Sequence, residues 1–179
     1  FGVYNEKVFG QDSRIVLYNT LKSDKSSSNE EIHIEFTVPV HESMTIYSID
    51  FTLKKGYLDQ NTIARMSEIV NGIHIANLPE QVDSPVIFKD TKALYAANSG
   101  IYSSPYNREA DFIDYTDNTA GYTIAYPSSF IPYSENNITD SMSYKSFKID
   151  TKTSMAVIVE PAPSADAIKD KLDFIKEYY

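Results

Sequence analysis

The 179-residue chain carries 16 Lys and Arg against 25 Asp and Glu, a formal charge of −9, and no cysteine. A chain this acidic, with no basic patch, has little to offer a nucleic-acid backbone or an anionic bilayer surface. Lack of cysteine excludes disulfides, thiolate metal sites, iron–sulfur clusters and thiol catalysis.

The charge divides evenly, with 8 basic and 13 acidic residues in 1–90 and 8 and 12 in 91–179. A hydrophobic content of 42% is enough to bury the core of one large domain or two small ones. No apolar stretch reaches the roughly 18 residues of a membrane helix. The sequence opens on Phe1 with no leader or lipobox and is rich in Asn, Ser, Thr, Tyr, Lys and Ile. With the missing cysteines, this reads as a fragment of a protein exported to the surface of a Gram-positive bacterium.

In chain order, residues 14–21 contain the apolar run Ile15, Val16, Leu17 and Tyr18, expected of a buried strand. The polar stretch 22–31, with three serines at 26–28, is expected to be a loop. Residues 32–38 alternate, with Ile32, Ile34, Phe36 and Val38 on one face and His33, Glu35 and Thr37 on the other. Residues 44–53 alternate again through Tyr47, Ile49, Phe51 and Leu53, so the two segments predict an antiparallel hairpin. The period then lengthens. Asp59 is placed to cap a helix bearing Ile63, Met66, Ile69, Val70 and Ile73, and Gly72 to end it.

Residues 86–88 suggest a short strand between prolines. The stretch 95–118, rich in Asn, Ser, Tyr and Asp, is expected to be a connector with little regular structure. Residues 121–126 place Tyr122, Ile124 and Tyr126 on one face of a strand closed by Pro127. Residues 144–149 and 153–160 predict a second hairpin. After a Pro161-Ala162-Pro163 break, Ser164 is placed to cap a helix with Ile168, Leu172, Ile175 and Tyr179 on one face. Strands followed by a helix thus occur twice, predicting an α+β fold of antiparallel sheet covered on one face by helices. The segmentation is 1–80, a connector at 81–120, and 121–179.

The segment Gly121-Tyr-Thr-Ile-Ala-Tyr-Pro-Ser-Ser-Phe130 resembles the opening strand of PsbP-like domains. On that resemblance, 121–179 corresponds to the first half of a unit and residues 14–75 to the second, in swapped order. The chain then spans either the junction of two tandem repeats or one permuted domain, completed within the chain or by exchange between two chains. The resemblance implies a binding, assembly or accessory role without catalysis.

Candidate chemistry is sparse. His33, His41 and His74 show no metal-ligand spacing and read as solvated side chains. Asp111, Asp114 and Asp117 form the densest group of oxygens, either a solvated acidic loop or a calcium site that departs from the usual alternating ligand pattern. There is no Gly-x-Ser-x-Gly elbow and no Gly-rich phosphate loop. The 14 tyrosines are the unusual feature. Tyr95, Tyr102, Tyr106 and Tyr115 are the candidate ligand-binding residues, for a protein or a cell-wall glycan. Half-buried sheet positions are the competing reading. No cofactor is expected, and a homodimer by exchange is a possible partner arrangement. A hydrolase would require two carboxylates converging in one pocket.

Overall fold

The computed structural model describes residues 2–21, 30–98, 112–128, 131–133, 143–148 and 153–178. Among these run β1 (Gly2–Val8), β2 (Gln11–Leu21), β3 (Glu30–Val40), β4 (Thr45–Lys54), α1 (Gln60–Asn71), β5 (Ile73–Ile75), α2 (Val86–Lys89) and α3 (Lys92–Asn98). Then follow β6 (Phe112–Asp117), β7 (Tyr122–Pro127), β8 (Ile131–Tyr133), β9 (Ser143–Lys148), β10 (Thr153–Pro161) and α4 (Ala165–Tyr178). The protein is mixed α and β, and each described strand pairing is antiparallel.

A seven-stranded sheet has the order β1-β2-β3-β4-β10-β9-β8, and a three-stranded sheet the order β5-β7-β6. The two hairpins expected from alternation, β3–β4 and β9–β10, meet along a β4–β10 ladder. Met155 lies opposite Phe51, Val157 opposite Ile49 and Val159 opposite Tyr47. Strands from 1–80 and from 121–179 therefore share one sheet. The smaller sheet mixes segments in the same way, because β7 is flanked by β5 and β6.

Period-two alternation decides which side of the large sheet is apolar. Ile15, Leu17, Ile32, Ile34, Phe36, Val38, Tyr47, Ile49, Phe51, Leu53, Met155 and Val157 share one face and join a core with Ile63, Met66, Ile69 and Val70 of α1. Phe88 of α2, Leu94 of α3 and Tyr122, Ile124 and Tyr126 of β7 complete it. Asp59 caps α1 as its position implied, its Oδ1 accepting from the Thr62 amide at 2.7 Å. Gly72 ends the helix with an ordinary negative φ, and a Cβ there would sit 3.3 Å from that of Ala125. Glycine is needed for close approach to β7, not for a left-handed turn. Asn98, at the end of α3, is buried against the β4–α1 turn. Its Oδ1 accepts from the Gly56 amide at 2.7 Å, and its Nδ2 donates to the Leu58 carbonyl at 3.0 Å.

The opposite, outer face carries Arg14, Val16, His33, Glu35, Thr37, Ser48, Asp50 and Thr52. α4 lies on this side. Ile168 packs with Ile46 and Ala162, and Lys171 pairs with Glu160 of β10. Ser164 caps it, accepting from the Ala167 amide at 3.1 Å.

Four expectations are corrected. Helices lie against both faces of the large sheet, because α4 follows a strand whose end crosses to the side of Ile46. Residues 86–88 lie in a short helix, Val86–Lys89, with extended Pro85 at its N-cap. The stretch 95–118 is not irregular throughout, since Tyr95 belongs to α3 and residues 112–117 to β6. Glu30 and Glu31, expected in a loop, begin β3 and pair with Leu21 and Thr20; residues 22–29 lie outside the described residues. β1 was not expected at all. It joins β2 through a two-residue turn at Phe9 (φ 50°) and Gly10 (φ 74°), with Phe9 fully buried.

Candidate functional site

A groove of about 380 Å³ opens between α1 and the α2–α3 segment. α1 contributes Gln60, Ile63, Ala64 and Ser67; across from it stand Ser84, Phe88, Lys89, Thr91 and Tyr95. Helical spacing explains the α1 side, because residues 60, 63, 64 and 67 lie one above another on one face. The Ser67 hydroxyl donates to Ser84 Oγ at 2.6 Å, and Asn71 Nδ2 donates to the same oxygen at 3.1 Å, so one wall is tied to α1. The lining combines two aromatic side chains, two aliphatic ones, hydroxyls, an amide and one ammonium. No described lining residue is a carboxylate or a histidine.

Of the candidate tyrosines, Tyr95 lines this groove and Tyr115 is elsewhere. Tyr115 stands on β6 with its ring centroid 5.7 Å from Phe147 and 6.2 Å from Tyr122, and Lys145 Nζ lies 4.8 Å from the ring centroid. Tyr47, Tyr122, Tyr126 and Phe147 continue this aromatic cluster between the two sheets. Burial, and to a smaller degree neighbouring Asp117, holds the Tyr47 and Tyr115 phenols above the ordinary tyrosine range. Tyr115 thus sits half-buried on its sheet, and Tyr122 and Tyr126 are buried in the core. Tyr102 and Tyr106 lie outside the described residues.

The aspartates do not converge. Asp111 is outside the described residues. Asp114 and Asp117, three apart on a strand, point to opposite sides. Asp117 Oδ1 accepts from the Thr119 and Ala120 amides at 3.0 and 2.9 Å, and its Oδ2 accepts from Ser143 Oγ at 3.1 Å. It organises the turn between β6 and β7. Among the described residues no group of three or more metal-binding side chains comes together. A second groove, of about 330 Å³, borders this turn and includes His74, Asn118 and Thr123.

A charged cluster lies on the outer face, unforeseen from the sequence. His33, expected to be solvated, is only 14% exposed. Its ring stacks on Tyr18, centroids 4.7 Å apart. Thr20 Oγ1 lies 3.1 Å from its Nε2, and Asp50 Oδ2 lies 3.4 Å from its Nδ1. Glu35 is the direct cross-strand partner of Asp50. Desolvation, then the Asp50 charge, pushes its carboxyl above the usual glutamate range, while Lys171 and His33 oppose the rise. Burial pushes Lys171 below the ordinary lysine range, with Glu35 opposing. Glu31, His33 and Glu35 alternate along β3, so the sequence shows their common face. The helix that covers that face is what the sequence hides. His41 and His74 are exposed, as read.

No protein-family model matches this sequence, and no curated protein and no solved structure matches it either. The function rests on the residues alone.

Proposed function

We propose that this protein is a non-catalytic binding module of an exported bacterial surface protein, with the α1–α3 groove as its ligand site. The observation that carries the reading is the lining itself, with Tyr95 set among Gln60, Ser67, Ser84 and Thr91 in about 380 Å³. That volume lies at the lower end of the range that holds small ligands. An aromatic ring flanked by hydroxyls and an amide suits an uncharged saccharide, whose apolar ring faces stack while its hydroxyls exchange hydrogen bonds. Lack of cysteine supports export.

The PsbP-like resemblance agrees with an accessory role. Its strands-then-helix unit corresponds to β3–β4–α1 in one segment and to β9–β10–α4 in the other. The test is a titration of the protein with neutral cell-wall oligosaccharides, followed by calorimetry and by amide chemical shifts. Saturable binding with shifts at Ser67, Ser84 and Tyr95, lost in Tyr95→Ala, supports the reading. Saturation by extended peptides and not by sugars would replace glycan with protein as the ligand.

A second reading, assembly by exchange of half-domains, draws on the β4–β10 ladder. That seam joins residues 1–80 to 121–179, and two chains exchanging these segments would form the same pairs between copies. Light scattering across a concentration series tests it. A dimer that dissociates slowly supports exchange, and a monomer at all concentrations refutes it.

A further inference from the structure

α4 is held on the outer face by a small apolar contact, in which Ile168 meets Ile46 and Ala162 with Met44 and Leu172 beside it, and by the Lys171–Glu160 pair. What it helps cover is largely polar, with buried Val16 the apolar exception. Thr37 is fully buried, and its Oγ1 has no partner among the described residues. Arg14 Nε, on the strand opposite Thr37, and Asp50 Oδ1 are buried and equally unpartnered. Two carboxylates, Glu35 and Asp50, stand side by side across β3 and β4. Buried polar groups without partners are costly, and α4 lies over several of them.

We propose that α4 is a proton-operated cover, seated on β2–β4 when Glu35 is protonated and released when Glu35 ionises next to its cross-strand neighbour Asp50. The charged and titratable groups on every packed element bear on the sign. β2 contributes Arg14 and Tyr18, β3 contributes Glu31 and His33, and β4 contributes Asp50. Glu160 comes from β10 and Lys171 from α4. One turn either side of Lys171, residues Ala167, Ile168, Phe174 and Ile175 are uncharged, Asp166, Lys169 and Asp170 are exposed, and half-buried Asp173 is paired with Lys169. Lys171 is thus the α4 cation that opposes the carboxylate pair, and Glu160 already shares it.

The sign follows from linkage. Glu35 holds its proton more tightly in the seated state than in the released state, where its burial is relieved and it moves back toward its ordinary value of 4.5, with Asp50 still beside it. Seating is therefore strongest below that value. It weakens as pH rises through the raised value, about tenfold in the seating constant for each pH unit between the two. The device is independent of the α1–α3 groove, which lies on the other face of the sheet.

The experiment is amide hydrogen exchange of the whole chain from pH 4.5 to 8, corrected for the intrinsic pH dependence of exchange. The expected result is that α4 opens more at pH 8 than at pH 4.5, while the β3–β4 amides keep their protection. Glu35→Gln should flatten that dependence. An α4 opening constant that stays level with pH, or a Glu35→Gln variant that keeps the full slope, overturns the proposal. Should the variant fail to fold, carboxyl ¹³C titration of the unaltered protein decides. A Glu35 midpoint above 4.5 that coincides with α4 release supports it, and a midpoint at or below 4.5 overturns it.

Discussion

Replacing Tyr122 by Phe should make the protein more stable, although it removes a polar group from a residue at the centre of the aromatic cluster. Tyr122 is buried, and its hydroxyl has no partner among the described residues. The nearby Tyr47 hydroxyl is committed, donating to the Ala120 carbonyl at 2.6 Å. A buried donor left unpaired costs about 1–3 kcal/mol relative to its hydrated state in the unfolded chain. Phe keeps the ring and its contacts with Tyr47 and Tyr115. The expected gain is about 1 kcal/mol or more, or roughly 2–4 °C in Tm per kcal/mol for a chain of this size. A urea titration reads it as a higher midpoint at unchanged slope.

Alkali supplies a second arm of the same test. Burial, with Tyr115, Asp117 and Tyr47 adding to it, holds the Tyr122 phenol far above its ordinary value of 10.0. The folded state keeps a proton that the unfolded chain gives up, so the associated stability is intact below pH 10 and is lost as pH rises beyond it. Tyr122→Phe should reduce that loss by up to about 1.4 kcal/mol per pH unit. A lower urea midpoint at pH 7, or an unchanged alkaline slope, would refute the reasoning.

Asn98→Ala should cost about 2–4 kcal/mol in chemical denaturation, because the Gly56 amide and the Leu58 carbonyl both lose their partner where α3 meets the β4–α1 turn. Asp59→Ala should cost about 1 kcal/mol, as expected for loss of an N-cap, and Asp59→Ser should restore most of it. Tyr95→Ala should leave the denaturation midpoint within about 1 kcal/mol of the unaltered protein while abolishing ligand binding, since the side chain is only half-buried at the groove.

The strands with one buried face were legible because alternation exposes them: β3, β4, β7, β9 and β10 follow from the spacing of apolar residues, and both helix caps from Asp59 and Ser164. β1 was not, for a physical reason. Its residues are mostly half-buried with no clean alternation, and its turn uses Phe9-Gly10 instead of an Asn-Gly pair. Burial of the Phe9 ring offsets the strain of a positive φ, and that burial depends on residues far along the chain, such as Gln81, which accepts from the Phe9 amide at 2.6 Å. The groove was half legible. Tyr95 was singled out, yet the partners that make it a site, Ser67 and Ser84, are brought to it by the packing of α1 against α2. The charged outer face failed for the opposite reason. His33, Glu35 and Thr37 read as a polar strand face and Glu31 as loop, because alternation identifies a polar face without revealing that α4 returns to cover it.

The account rests most on the α1–α3 groove being a ligand site. The direct measurement is the amide spectrum of the protein during titration with neutral cell-wall oligosaccharides, in parallel with the Tyr95→Ala variant. The account predicts saturable shifts confined to Ser67, Ser84, Thr91, Tyr95 and their neighbours, absent in the variant. Shifts that cluster on another surface, or a spectrum unmoved at millimolar sugar and peptide alike, would contradict it.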